Sequence, residues 1–194
     1  MDPPKVIAIV DLGYLKSVNA WLDMAHSLLS ASKRHQWLGV QLRSKGAIDP
    51  AILLPLFERY HHYPTCHWNL IQPLPGLPVH VHLPRNQKKP SSVSFSRSIH
   101  GPEDLLKYNL LPHWFQLAPI FHPTHKPGMP LGLSKLKEVI ELSRRPIVAV
   151  GGITLENAHL VADAGAAGVG CIGTILSAKN PLRAAQEIHK RIKK

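Results

Sequence analysis

The run Pro146-Ile147-Val148-Ala149-Val150-Gly151-Gly152-Ile153-Thr154-Leu155-Glu156-Asn157 decides how this chain is read. Its apolar start has no polar alternation, which predicts a strand buried on both faces, as in a parallel sheet. Two glycines follow, and glycine lets a backbone come close to a ligand. Thr154 then predicts the N-cap of a helix that begins at once. The free N–H groups of a helix start attract anions, and phosphate is the usual one. A second strand over 168–173 ends in a similar turn, Ile172-Gly173-Thr174. The chain is therefore expected to handle a small phosphorylated metabolite.

Working outward, short apolar runs alternate with amphipathic helices, the pattern of parallel βα units. Strands are predicted at 6–11, 37–43, 65–69, 79–83, 92–98, 114–120, 146–150 and 168–173, eight in all. Asp49-Pro50 opens one helix with Ile52, Leu53, Leu56 and Tyr60 on one face. Ser134 is the expected cap of another, with Leu136, Val139, Ile140 and Ser143 in its stripe. Asn180-Pro181 opens the last, with Ala184, Ala185, Ile188 and Ile192 in its stripe. Eight βα units predict a (β/α)8 barrel, in which the loops after strands seven and eight often hold phosphate. The chain has 194 residues, whereas such barrels usually need about 250. Residues 70–78 carry three prolines and a glycine, and residues 84–91 are short and polar. The third and fourth helices are accordingly expected to be abbreviated, within a single domain over 1–194.

Lys and Arg total 23 against 12 Asp and Glu, a formal charge of +11 that favours anionic partners. The basic residues are scattered. The densest group, Lys190, Arg191, Lys193 and Lys194, suits the end of the last helix, so nucleic acid is not the expected partner. No apolar run is long enough for a membrane span, and the N-terminus lacks the regions of a signal peptide. A cytoplasmic chain with no membrane partner is expected. Cys66 and Cys171 lie in strand-like runs and read as inert buried thiols.

With these motifs in place the chain resembles the thiamine phosphate synthase/thiazole tautomerase (TenI-like) superfamily. The resemblance runs from about residue 6 to 190 and is strongest over 116–178. It rests on Gln41-Leu42-Arg43-Ser44-Lys45, on His82-Leu83, on Ser98-Ile99-His100, and on the loop from Ala118 to Gly128 with Leu131-Gly132-Leu133. The two glycine turns and the approach Ala164-Gly165-Ala166-Ala167-Gly168 complete it. It implies a thiazole phosphate held by backbone amides of Gly151, Gly152, Ile172, Gly173 and Thr174. It implies a pyrimidine diphosphate near Arg43, Lys45, Ser98 and Lys126, with Thr124 beside Lys126 and Gln41 on the face of Arg43.

The synthase in this family works with Mg²⁺ on the diphosphate, held by aspartates after strands three and four. This chain reads Trp68-Asn69-Leu70 at the first position and Asn86-Gln87 at the second. Without those charges a hard cation is poorly held, so no metal ligand and no cofactor are assigned, Mg²⁺ belonging only to the synthase alternative. The reading leans to the tautomerase branch, which shifts a proton on a thiazole carboxylate phosphate. Histidine suits that step, and the chain has 13. His67, His82, His100, His122 and His125 fall near predicted strand ends, and His100, His122 and His125 are the candidate acid–base residues. The family's tautomerase histidine sits where this chain has Pro119. Synthase and catalytically silent binder stay open beside the tautomerase, as does a homodimer. Arg43 could instead be an interior ion-pair partner, and His80 and His82 read as satisfied interior histidines.

Overall fold

The computed structural model describes residues 1–88, 93–108, 112–122 and 129–193. Its sheet is β1 (Val6–Asp11), β2 (Leu38–Ser44), β3 (Cys66–Leu70), β4 (His80–Leu83), β5 (Ser94–Ile99), β6 (Phe115–Leu117), β7 (Ile147–Val150) and β8 (Gly168–Cys171). Each strand pairs in parallel with the next, and β8 pairs with β1 to close the barrel. Closure leaves no strand edge open to another chain. The eight predicted strands all form, with ends shifted by up to three residues.

The outer layer is uneven. α1 (Leu12–Leu15) and α2 (Val18–Ser32) follow β1, and α3 (Pro50–Tyr60) follows β2. α4 (Gly132–Leu142) follows β6, α5 (Ala158–Asp163) follows β7, and α6 (Gly173–Leu176) and α7 (Pro181–Ile192) follow β8. Asp49 Oδ1 accepts from the Ala51 N–H at 2.8 Å and Asn180 Oδ1 from the Arg183 N–H at 2.9 Å, so both of these expected caps form. Among the described residues no helix links β3 to β4 or β4 to β5, as the prolines of 70–78 and the polarity of 84–91 require. The β5–β6 connection carries only a 3₁₀ helix, Pro102–Lys107.

Side chains tie down the crossings that lack helices. Gln72 bonds Ile48 through both its amide atoms, at 2.5 and 2.9 Å. Arg97 points outward from β5 and donates to the carbonyls of Pro84, Arg85 and Gln87 at 2.9–3.2 Å. Arg85 is held by Asp104 at 2.6 Å, and the Arg85 carbonyl accepts from the Tyr108 hydroxyl at 2.6 Å. A segment that forms no helix thereby still satisfies buried backbone groups.

Two helix starts differ from expectation. Ser134 lies inside α4, and Leu131 takes the cap position with no side-chain bond. The start is anchored by main chain instead: the Leu131 and Gly132 N–H groups donate to Pro119 and Ile120 carbonyls at 2.8 and 3.0 Å. Thr154 does not cap a helix either, because α5 begins only at Ala158. Its Oγ1 instead accepts from the Glu156 N–H at 3.3 Å, inside a turn that Asn157 closes. Asn157 Oδ1 accepts from the Thr154 N–H and its Nδ2 donates to the Gly152 carbonyl, both at 2.8 Å, forming a turn ahead of the helix.

Because side chains alternate along a strand, the barrel interior has two halves. Ile7, Ile9, Trp114 and Val148 form a small apolar cluster. Gln41, His67, His80, His82, Ser96 and Gln116, all buried, line the other side. Gly39 makes room there, since a Cβ on it would meet Pro4 at 2.6 Å and the His67 ring at 3.0 Å. Cys66 and Cys171 are buried and free, and burial raises both thiols, Cys171 to about 12. No described helix is long and apolar enough to cross a membrane.

His67 lies deep in the barrel, beside Gln41 and His80 in register, and not at a strand end as expected. Among the described residues neither ring nitrogen has a hydrogen-bond partner, and burial lowers its pKa to about 4, with the nearby Pro64 carbonyl pulling it slightly back. The unfolded chain therefore binds a proton here between pH 6.5 and about 4 that the folded chain does not. Stability is full above pH 6.5 and falls as pH drops through that window. His67→Leu should remove this contribution. Comparing urea unfolding at pH 7.5 and 4.5, the variant should lose less stability than the parent chain, by on the order of 2 kcal/mol.

Candidate functional site

The expected site residues that the structure describes lie on strands and loops toward the C-terminal mouth of the barrel, where the connecting loops build sites in this architecture. The turn after β7 sits against the loop after β6. Gly151 and Gly152 have φ of +95° and +64°, the left-handed region that disfavours a side chain. A Cβ on Gly151 would meet the Pro119 Cα at 2.8 Å, and one on Gly152 the His122 carbonyl oxygen at 2.6 Å. The N–H groups of Ile120 and Phe121 donate to the Val150 and Gly151 carbonyls at 3.0 and 3.1 Å. The two loops are thus zipped together backbone to backbone, which only glycine permits.

The turn after β8 is fastened to this pair. Thr174 Oγ1 donates to the Ile153 carbonyl at 2.5 Å. Among the described residues, the backbone N–H groups of Gly151, Gly152, Gly173 and Thr174 have no acceptor, and all four residues are partly exposed. Four unclaimed donors on two adjoining turns can receive an anion's oxygens.

Across the mouth, Arg43 forms an ion pair with Asp11, with about a fifth of its side chain still accessible. Burial lowers the Arg43 pKa. The interior ion-pair role weighed for this residue is therefore present. Asp11 also caps α1 by accepting from the Tyr14 N–H at 3.1 Å. Gln41 is buried, and its Oε1 accepts from Gln116 Nε2 at 2.7 Å across the barrel. Lys45 is exposed just beyond β2.

Ser98 is partly exposed on β5, and its hydroxyl bonds His82 Nε2 at 2.8 Å. His82 Nδ1 bonds Ser96 at 2.8 Å, Ser96 bonds His80 Nε2 at 3.0 Å, and His80 Nδ1 bonds Ser94 at 2.8 Å. His80 and His82 are thus satisfied interior histidines. Burial above all, with neighbouring positive charge, lowers His82 to about 3 and takes His80 well below its usual value.

His100 is exposed, and its Nδ1 donates to the Ala118 carbonyl at 2.7 Å. Asp104 Oδ2 accepts from the His100 N–H at 2.9 Å. His122 is exposed on the loop after β6. Thr124, His125 and Lys126 lie outside the described residues. Asp11, Gln116 and Ser96 were missing from the expected set, and each is defined by a partner on another strand.

For Mg²⁺ the residues do not fit. No Asp or Glu occurs in 69–79 or 84–92, after β3 and β4. Among the described residues no cluster of three His, Cys, Asp or Glu could hold a metal. Of the acids near these loops, Asp11 is paired with Arg43, and Asp104 is bound to Arg85 and Lys107 at 2.6 and 3.4 Å; burial works against the charge of Asp104, but the His100 N–H and Arg85 prevail and keep its pKa low.

The architecture is that of a small (β/α)8 barrel whose glycine turns after β7 and β8 are fastened together at its mouth. Residues 85–175, from the β4 loop to α6, match the family model described as thiamine monophosphate synthase. The resemblance to the thiamine phosphate synthase superfamily is thereby shown over this segment, which carries both turns. A thiamine-phosphate synthase of Latilactobacillus sakei is 37% identical over 97 residues, covering 48% of this chain and 43% of the relative. One from Thermus thermophilus is 32% identical over 121 residues, covering 58% and 59%. The chain thus spans about two fifths of the first of these relatives and under two thirds of the second. In structure it is similar to thiamine phosphate pyrophosphorylase from Pyrococcus furiosus, with TM-score 0.69, 17% identity, and 97% and 95% of the two chains covered. That likeness bears on the fold.

The glycine zipper makes a direct prediction. Gly151→Ala should cost about 3 kcal/mol or more in urea unfolding, because left-handed strain of about 1–3 kcal/mol adds to a clash with main chain. Gly46→Ala, where a Cβ meets nothing within 4 Å, is the control and should change stability little.

Proposed function

We propose that this barrel binds a phosphorylated thiazole at its mouth and transfers a pyrimidine to it from a diphosphate, forming thiamine phosphate. The observation that carries the reading is the set of unclaimed N–H groups on Gly151, Gly152, Gly173 and Thr174. The cradle presents donors and no carboxylate, which selects a phosphate ester over a cation. The family match covers the same two turns, and the relatives quoted above are thiamine-phosphate synthases. Arg43, about a fifth of whose side chain is accessible, and the exposed Lys45 supply positive charge for the diphosphate. The reaction belongs to the cytoplasm in this reading.

A second reading is the metal-independent shift of a proton on the thiazole. The absence of acidic residues after β3 and β4 favours it. His100 and His122, exposed at the mouth, are the described candidates for moving the proton, with His125 beside them in sequence.

The test is to supply hydroxymethylpyrimidine diphosphate, thiazole phosphate and Mg²⁺, and to read thiamine phosphate as thiochrome fluorescence. Product supports transfer, and product that disappears with EDTA also overturns the poor fit of these residues to Mg²⁺. No product, with conversion of the non-aromatic thiazole isomer, supports the proton shift. Tight thiazole phosphate binding without turnover leaves a silent binder, and no binding at all overturns the cradle. Thr174→Val removes the bond that joins the two turns. It should weaken thiazole phosphate binding about 10-fold, the value of one lost hydrogen bond of roughly 1.4 kcal/mol, as read by calorimetry.

A further inference from the structure

The chain of bonds between β4 and β5 does more than fill the core. From one end of the barrel to the other it reads His113 Nδ1, Ser94 Oγ at 3.3 Å, His80 Nδ1 at 2.8 Å, then His80 Nε2 to Ser96 Oγ at 3.0 Å. It continues from Ser96 Oγ to His82 Nδ1 at 2.8 Å and from His82 Nε2 to Ser98 Oγ at 2.8 Å. His80, His82 and Ser96 are buried, whereas Ser98 and His113 are partly exposed at opposite ends. The His80 ring is clamped flat against Trp114, with centroids 4.3 Å apart and planes 1° apart.

Proton counting restricts such a chain. A neutral imidazole has one N–H and one bare nitrogen, and a hydroxyl has a single proton. Ser96 can donate to only one of its two histidines. If both histidines donated to it, its own proton would be left buried without an acceptor, which costs free energy. Two arrangements remain. In one, both histidines carry Nδ1–H and Ser98 donates inward. In the other, both carry Nε2–H and Ser98 accepts, its proton turned to the mouth.

We propose that His80, Ser96 and His82 are positioning residues for Ser98: the shared proton direction of this chain sets whether Ser98 offers a proton or a lone pair to a ligand at the mouth. Conversion between the two moves one proton along every link. Ser98 takes a proton from the mouth as it gives its own to His82 Nε2. His82 Nδ1 passes one to Ser96, Ser96 passes one to His80 Nε2, and His80 Nδ1 passes one to Ser94. Ser94 hands its own to the His113 end. No net charge builds up inside, in keeping with two imidazoles that burial keeps neutral. The link to a thiazole phosphate rests on the functional reading above; the shared direction of the chain does not.

The test is long-range ¹H–¹⁵N NMR of the full chain labelled at histidine, which reports which ring nitrogen is protonated. His80 and His82 should show the same tautomer without ligand; opposite tautomers would overturn the proposal. Ser98→Ala, at the partly exposed end, should shift the ring nitrogens of both histidines and not of His82 alone. Adding thiazole phosphate should move both histidines in the parent chain and only His82 in Ser96→Ala. A His80 response that survives Ser96→Ala sinks the relay. If thiazole phosphate does not bind, the tautomer match and the Ser98→Ala shifts still decide the matter, and the failure falls on the functional reading alone.

Discussion

A barrel interior that is polar on one side has to hydrogen-bond itself, and the rest of this structure is arranged around that constraint. Interiors of (β/α)8 barrels are ordinarily filled by branched apolar side chains. Here β4 and β5 meet through two histidines and three serines, and β2 and β6 through a pair of glutamines. An unpaired polar atom in such a place costs about 1–3 kcal/mol, so the register of β4 on β5 has little freedom to slip. The apolar half, Ile7, Ile9, Trp114 and Val148, supplies ordinary burial. Trp114 joins the halves by stacking on His80.

The mouth inherits its shape from this core. Ser98 ends the imidazole chain, Arg43 is fixed by Asp11, and the β7 turn is pressed onto the β6 loop by two glycines. Glycine at these positions has two separate uses. It permits left-handed backbone and close loop contact, and it leaves N–H groups with no acceptor among the described residues. A rigid frame with unclaimed donors is what an anion site needs, because little ordering is left to be done on binding.

Much of this was legible in the sequence. The eight strands followed from short apolar runs, and the absence of helices among the described residues after β3 and β4 from Pro73, Pro75 and Pro78 and from the polar 84–91 stretch. Caps made by a side chain next to its helix were legible too, as at Asp49 and Asn180. Caps decided by competition were not. Thr154 and Asn157 both bond within a turn that precedes the helix, and Ser134 gives way to a main-chain anchor on the β6 loop. The chain across the core was half visible, since His80-Val81-His82 and Ser94-Phe95-Ser96-Arg97-Ser98 both alternate with period two. Which side faced inward, and which histidine met which serine, depends on strand register, and no single run of sequence contains that.

The central claim is that the two turns after β7 and β8 form one phosphate cradle. A crystal structure of the protein with thiazole phosphate tests it most directly. The account predicts the phosphate within hydrogen-bonding distance of the N–H groups of Gly151, Gly152, Gly173 and Thr174, with the ring directed toward Ser98 and Arg43. A phosphate bound anywhere else, or turns that close on themselves and exclude it, would contradict the account.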